Sequence, residues 1–317
     1  MSLAREEIAR RADLVRAAAR PAIAQAMNLI ESERAADRSD RDALVDALAG
    51  TPRLGAQVIG LTGPPGVGKS TLGGRLVAEW RRRGATVGVI AVDPSSRVSG
   101  GAVLGDRARL AKPAGDDGVF IRSMAARDRL GGLAPGTLEA ILVMRAAFDR
   151  VLVETVGVGQ SETDVSTAAD QTLVIVQPAG GDTLQFIKAG LMEIFDVLVV
   201  NKSDLGEMAE RTRRELTLAL GVLGRAETPI VLTSAASGAG LPALADVLDE
   251  RFFALGARLP ALRAEKLREH AVRTATEQHG TLALARHGGR AAALARLASL
   301  PSDAPPSALL AAAIPAV

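Results

Sequence analysis

The chain has 317 residues, 48% of them hydrophobic, enough for one large domain with appendages or two modest domains, which excludes a disordered protein and points to a soluble globular one. A formal charge of +2, from 38 Lys and Arg against 36 Asp and Glu, is too even for a dedicated nucleic-acid binder. The absence of Cys removes disulfides, thiolate metal sites and cysteine nucleophiles together, and a reducing cytoplasm is the expected compartment.

The N-terminal stretch mixes Glu6, Glu7 and Asp13 with arginines where an export signal would have an apolar core. Residues 3–48 then carry apolar positions at helical spacing (Ile8, Leu14, Ala17, Ala18, Ile23, Ala26, Met27, Ile30), divided by Pro21 and by the charged stretch 31–41, and read as a helical preamble. From Gln57 the pattern changes to β-rich runs separated by helical lengths: 58–62, 86–92, 119–123, 151–155, 172–177, 197–201 and 230–233. This alternation predicts a mainly parallel sheet wrapped by helices, and runs such as VLVE and VLVV are apolar on both faces, as a doubly covered sheet requires. The expected boundaries are a helical extension over 1–50, the sheet domain over 51–256 and a helical arm over 257–317. Within the arm, 258–287 reads as one charged helix, Gly288 and Gly289 break it, a short Ala/Leu/Arg helix follows, and PSDAPPS (301–307) reads as a linker or turn. No apolar run approaches the roughly 20 residues of a membrane span, and the apolar tail 308–317 is expected to pack or fray.

After the first predicted strand comes Gly63-Pro64-Pro65-Gly66-Val67-Gly68-Lys69-Ser70, a G-x-x-x-x-G-K-[ST] element between a strand and a helix. Glycines let the backbone wrap a phosphate with the amides from Gly66 to Thr71, including Val67, turned inward, and the helix that follows adds its dipole. Lys69 is expected to reach the β and γ phosphates, and the Ser70 hydroxyl to coordinate Mg²⁺. Asn201-Lys202-Ser203-Asp204, at the end of an apolar strand, matches the N-K-x-D element that reads guanine. A carboxylate there accepts from guanine N1–H and the 2-amino group, donors that adenine lacks, so a buried Asp204 carboxylate would be left unpaired by adenine. GTP is thus preferred over ATP, with Ser234 and Ala235 as the backing loop on the base side.

Three carboxylates lie between these anchors. Asp93 ends one strand, Asp106 follows a Gly-rich segment and Glu154 closes VLVE, so all three are candidates for a Mg²⁺ shell, held directly or through water. Asp93 before Pro94 also suits a turn, and Asp106 suits a helix N-cap. Glu154 has the weakest structural alternative, because an acidic residue closing an apolar strand needs a partner. Glu154-Thr155-Val156-Gly157 stands where GTPases carry D-x-x-G, with the Gly157 amide placed to sense the γ-phosphate. Val158 follows where Ras-like enzymes hold the glutamine that orients water, which predicts slow intrinsic hydrolysis. Gln160 is near in sequence but reads better as a surface residue. His270, His279 and His287 are spaced so that they share no helical face, and no metal site is expected there. Arg81 to Arg83 before Gly84 read as a helix C-terminus complementing its dipole.

GLTGPPGVGKSTL, VIAVDPSS, GGAVLGDRARL, ETVGVGQSE and NKSDL together resemble the MeaB/ArgK family of P-loop GTPases, of SIMIBI type, over residues 15–250. The resemblance implies a GTP-hydrolysing chaperone of an adenosylcobalamin-dependent acyl-CoA mutase such as methylmalonyl-CoA mutase, which gates cofactor delivery and protects or reactivates the enzyme. It implies Lys69 and Ser70 on phosphate and Mg²⁺, Asp93, Asp106 and Glu154 in the metal shell, Asn201, Lys202 and Asp204 on the base, and a homodimer. It also implies that the segment from Gln177 through Gly180, Gly181, Asp182 and Lys188 couples nucleotide state to the mutase. Read by themselves, Gly180 and Gly181 form a hinge before a helix, and Asp182 is equally an N-cap. An adenosyltransferase is a further candidate partner. The arm 259–317 departs from the family in its Ala/Arg-rich composition and lack of the aromatic residues expected in the dimer arm. A nickel-inserting GTPase and an ATP-dependent transport-protein kinase are the alternatives; the first generally carries Cys/His clusters, and the second conflicts with the N-K-S-D element.

Overall fold

The computed structural model describes residues 4–50, 53, 55–93, 116–125, 133–134, 136–155, 164–178 and 195–315, with Asp93 and Asp164 described by their backbone. The chain packs as two units, one of residues 57–137 and 148–255, the other of residues 1–56, 138–147 and 256–317.

The first unit is built on strands β1 (Gln57–Thr62), β2 (Val87–Asp93), β3 (Val119–Ala125), β4 (Arg150–Glu154), β5 (Gln171–Val176), β6 (Val197–Val200) and β7 (Ile230–Leu232). They form one sheet in the order β3-β2-β4-β1-β5-β6-β7, with every neighbouring pair parallel. The seven runs expected from sequence are the seven strands among the described residues, and the sheet, expected to be mainly parallel, is parallel throughout. Parallel strands put their C-terminal ends on one edge, and the connections of the adjacent strands β1 and β4 leave in opposite directions, from β1 to β2 on one side and from β4 to β5 on the other. Such a switch point is where α/β sheets bind ligands.

Helices α4 (Lys69–Arg82), α6 (Glu207–Val222) and α7 (Leu241–Leu255) cover this sheet. The period-2 alternation of the strands sorts the two faces. Leu173 and Ile175 of β5 and Val197 and Val199 of β6 join Leu72, Leu76 and Trp80 of α4 and Leu244 and Leu248 of α7. The alternate residues Val174, Val176, Leu198 and Val200 pack with Ala209, Leu216 and Leu220 of α6. Each such leucine contributes about 1.5–3 kcal/mol by leaving water. α4 ends in a left-handed Gly84, with Gly84 N–H donating to Arg81 O (2.9 Å) and Ala85 N–H to Trp80 O (3.0 Å). The arginines at this end do more than complement a dipole. Arg81 grips Asp116 with two bonds of 2.9 Å, and Arg83 reaches Asp246 at 2.7 Å.

The second unit is helical: α1 (Arg5–Arg16), α2 (Arg20–Glu31), α3 (Arg38–Ala49), the Leu138–Ala147 part of α5 (Thr137–Ala147), α8 (Leu259–His279), α9 (Thr281–Arg286), α10 (Gly289–Ala298) and α11 (Pro306–Ala313). Pro21 does not divide the preamble. It lies in the first turn of α2, where its missing N–H costs nothing, and the break falls at 17–19 around Ala18, whose φ is 55°. The single helix expected over 258–287 is interrupted at Gly280, whose φ of 82° ends α8. The tail packs, with Leu309 and Ala313 buried among Val272, Ala275, Ala293 and Leu297.

Polar ties help to hold this unit, and two of them join α5 or α3 to the C-terminal helices. Asp46 on α3 receives the Ser307 N–H (3.0 Å) and the Ser307 hydroxyl at the first turn of α11. Glu139 on α5 lies 3.7 Å from His270 on α8, and Thr274 Oγ1 lies 3.1 Å from the same ring nitrogen of His270. Partial burial works against ionisation of Glu139, but the facing His270 ring, helped by the Glu139 backbone and by Arg41, holds its carboxyl at about 2 against the usual 4.5. His270 therefore serves a helix contact, and among the described residues no cluster of His, Asp and Glu is arranged to hold a metal ion. Among the same residues no helix is long and apolar enough to cross a membrane.

Candidate functional site

The C-terminal edge of the sheet gathers the ends of β1, β4, β5 and β6, and with them most of the chemistry-bearing residues. β1 runs into Gly63, whose φ is 149° and whose Cβ, if present, would lie 2.3 Å from Ile175 O. Only glycine lets the chain turn this close to β5. Gly68 combines a φ of 94° with a gap of 2.7 Å between its would-be Cβ and Asn201 Nδ2, so a side chain there would expel Asn201. The intervening loop closes on itself: Lys69 Nζ donates to the carbonyls of Gly63 (2.9 Å) and Pro64 (3.1 Å). α4 begins at Lys69, so the amides of Lys69, Ser70 and Thr71 have no acceptor earlier in the helix and make an anion-attracting end.

β4 brings Glu154 to this helix. Leu61 of β1 is in register with Glu154, which is 4% exposed, and the Ser70 hydroxyl donates to Glu154 Oε1 at 2.6 Å. Thr155 extends the junction, donating its N–H to Leu61 O (3.1 Å) and pairing its hydroxyl with that of Thr62 (3.0 Å). Asp93 ends β2 on the same edge. Asp106, Gly157, Val158 and Gln160 lie outside the described residues, as do Gly180, Gly181, Asp182 and Lys188.

β6 supplies the second half. Asn201, 2% exposed, donates through Nδ2 to Val67 O (2.8 Å) and accepts at Oδ1 from Ala235 N–H (3.1 Å) and Thr233 Oγ1 (3.3 Å). One side chain thus joins the phosphate loop to the loop after β7. Lys202 Nζ crosses the same gap to Gly66 O (3.3 Å) and Gln177 Oε1 (2.5 Å). Asp204 accepts from the Ser234 hydroxyl at 2.5 Å. Its carboxylate is exposed, not buried as the sequence argument supposes, because the short turn Ser203–Leu205 carries it out beyond the strand end.

Two participants have no signal in the sequence motifs: Gln177 as the acceptor for Lys202, and Arg75 of α4, which donates to the carbonyls of Ala235 and Ala236. A glycine-lined loop, a Lys and Ser opening a helix, a facing carboxylate and an N-K-x-D loop on an all-parallel sheet define a P-loop GTPase. Comparison with known proteins places it further. Residues 23–287 match the model of the family described as methylmalonyl Co-A mutase-associated GTPase MeaB, and the chain belongs to that family. It is 43% identical over 260 residues to a Pyrococcus horikoshii protein described as a GTPase, PH0274, covering 79% of this chain and 80% of that one. It is 36% identical over 251 residues to the mouse methylmalonic aciduria type A homolog, mitochondrial, covering 73% and 60%. A crystal structure of a LAO/AO transport system kinase superposes with a TM-score of 0.68 at 28% identity, covering 91% of this chain and 89% of that one.

Proposed function

We propose that this GTPase is a nucleotide-gated chaperone of an adenosylcobalamin-dependent acyl-CoA mutase, with methylmalonyl-CoA mutase, the enzyme of the family description, as the favoured partner. The observation that carries the reading is the buried Asn201 bridge, which ties the phosphate loop to the base loop and so lets one nucleotide be sensed at both ends. In this reading Gly63, Gly66, Val67, Gly68, Lys69, Ser70 and Thr71 cradle the phosphates, and Asn201, Lys202, Asp204, Ser234 and Ala235 hold guanine. Ser70 and Glu154 are hard oxygen donors already 2.6 Å apart, a set that fits Mg²⁺. They would hold the ion with Asp93 and Asp106, and it would supply charge neutralisation at the β and γ phosphate oxygens. Lys69 adds a cation to the same oxygens, Gly157 senses the γ-phosphate, and Val158 leaves intrinsic hydrolysis at about one turnover per minute or slower.

The segment containing Gly180, Gly181, Asp182 and Lys188 transmits the nucleotide state to the mutase. A homodimer through residues 257–317, an adenosyltransferase as second partner and a cytoplasmic location complete the proposal. The test is to titrate GDP and a non-hydrolysable GTP analogue into the chain with and without a cobalamin mutase from the same source. Linkage requires the mutase to change nucleotide affinity by the factor by which nucleotide changes mutase affinity, about 5- to 150-fold. Equal affinities where a complex demonstrably forms would overturn the chaperone reading.

A further inference from the structure

We propose that Arg75 is a positioning residue that sets the aim of the Asp204 carboxylate, and so contributes to base selectivity from outside the nucleotide motifs; the inference rests on the guanine reading above. Arg75 lies on α4, the helix that Lys69 and Ser70 open, and its guanidinium faces the loop after β7. Nε donates to Ala235 O and Nη2 to Ala236 O, each at 3.1 Å. The peptide unit is planar and trans, so pinning the carbonyl of Ala236 also fixes the direction of the Ser237 N–H. That N–H donates to Ser234 Oγ at 3.3 Å, and Ser234 Oγ in turn donates to Asp204 Oδ1 at 2.5 Å.

The relay therefore runs from the guanidinium through one peptide and one hydroxyl to the carboxylate. Ser234, 1% exposed, has little freedom to hydrogen-bond elsewhere. Ala235 is held at both its polar groups, its carbonyl by Arg75 and its N–H by Asn201. Other bonds of the loop are internal, among them Ser234 N–H to Ala239 O (3.0 Å), Gly238 N–H to Ser234 O (2.8 Å) and Ala239 N–H to Ser237 Oγ (3.3 Å), and they shape the turn without tying it to α4. An arginine suits the task because its rigid fork addresses two adjacent carbonyls, whereas a lysine offers a single ammonium on a flexible stem.

The test uses GDP, inosine diphosphate, which lacks the 2-amino group that Asp204 would accept from, and inorganic pyrophosphate, which reaches only the phosphate loop. Calorimetry on wild type, Arg75→Met and Arg75→Lys should show the preference for GDP over inosine diphosphate narrowed about three- to tenfold in Arg75→Met, the size expected when one or two hydrogen bonds are lost. Arg75→Lys should restore part of it, pyrophosphate affinity should not change, and the GTPase should show a raised KM at unchanged kcat. Equal losses for GDP and inosine diphosphate, or no loss at all, would overturn the proposal. A wild-type chain that fails to prefer GDP over ADP would instead overturn the guanine reading itself, a result separable from any behaviour of the variants.

Discussion

At the C-terminal edge of the sheet, residues far apart in the chain meet through directed polar bonds: Asn201 with Val67 and Ala235, Ser70 with Glu154, Lys202 with Gln177. In the helical unit the contacts are mainly aliphatic, Val272, Ala275, Leu284, Leu297 and Leu309 among them, with Asp46 to Ser307 and Glu139 to His270 as polar ties. The first region spends its polar groups on holding loops at fixed separations for a ligand, and the second on fastening helices. Losses in the first should therefore appear in nucleotide affinity, and losses in the second in unfolding.

The largest expected effect is at Asn201. Asn201→Ala leaves Val67 O and Ala235 N–H without their buried partner, at about 1–3 kcal/mol each, and GDP affinity should fall by at least about 100-fold in calorimetry while circular dichroism shows a folded chain. Retained affinity would break the view that this bridge joins the two halves of the site. Next is Glu139. A carboxyl lowered from 4.5 to about 2 in the folded chain stabilises it above the unfolded value, and that stability is lost as pH falls from about 4.5 toward about 2. Glu139→Gln should remove on the order of 1–3 kcal/mol at pH 6, flatten the acid limb, and leave GDP affinity at neutral pH unchanged. Urea unfolding at pH 6 and pH 3 compares the two chains.

Asp46→Ala removes the acceptor at the start of α11 and should cost about 1 kcal/mol of unfolding free energy, again with GDP binding intact. The smallest effect is at Gln177, where Gln177→Met removes one acceptor from Lys202 and should weaken GDP about two- to fivefold without moving the thermal midpoint. A shift confined to the midpoint would assign Gln177 to fastening and blur the comparison.

The strands and the nucleotide motifs were legible because their causes are local. VLV before Glu154 and the whole of VLVV are apolar at successive positions since parallel strands are buried on both faces, and a phosphate loop needs its glycines and lysine within eight consecutive residues. The role of Pro21 and the break in the helix expected over 258–287 were not legible for a related reason: a proline or glycine punctuates a helix, and whether it starts, ends or splits one depends on the packing of the turns around it. Arg75 was invisible because its partners lie 160 and 161 positions away and are backbone carbonyls, which carry no side-chain signature. The exposure of Asp204 and the share of α5 in the helical unit likewise follow from where the chain passes in space.

That helical unit takes its residues from the beginning, the middle and the end of the chain. On a ribosome this imposes a timetable. Residues 57–255 are complete before α8 exists, whereas Asp46 must wait for Ser307, 261 positions later, which at roughly 5–20 residues per second is about ten seconds to a minute. A nascent chain halted ahead of residue 306 would thus carry a finished nucleotide site beside an unfinished helical body.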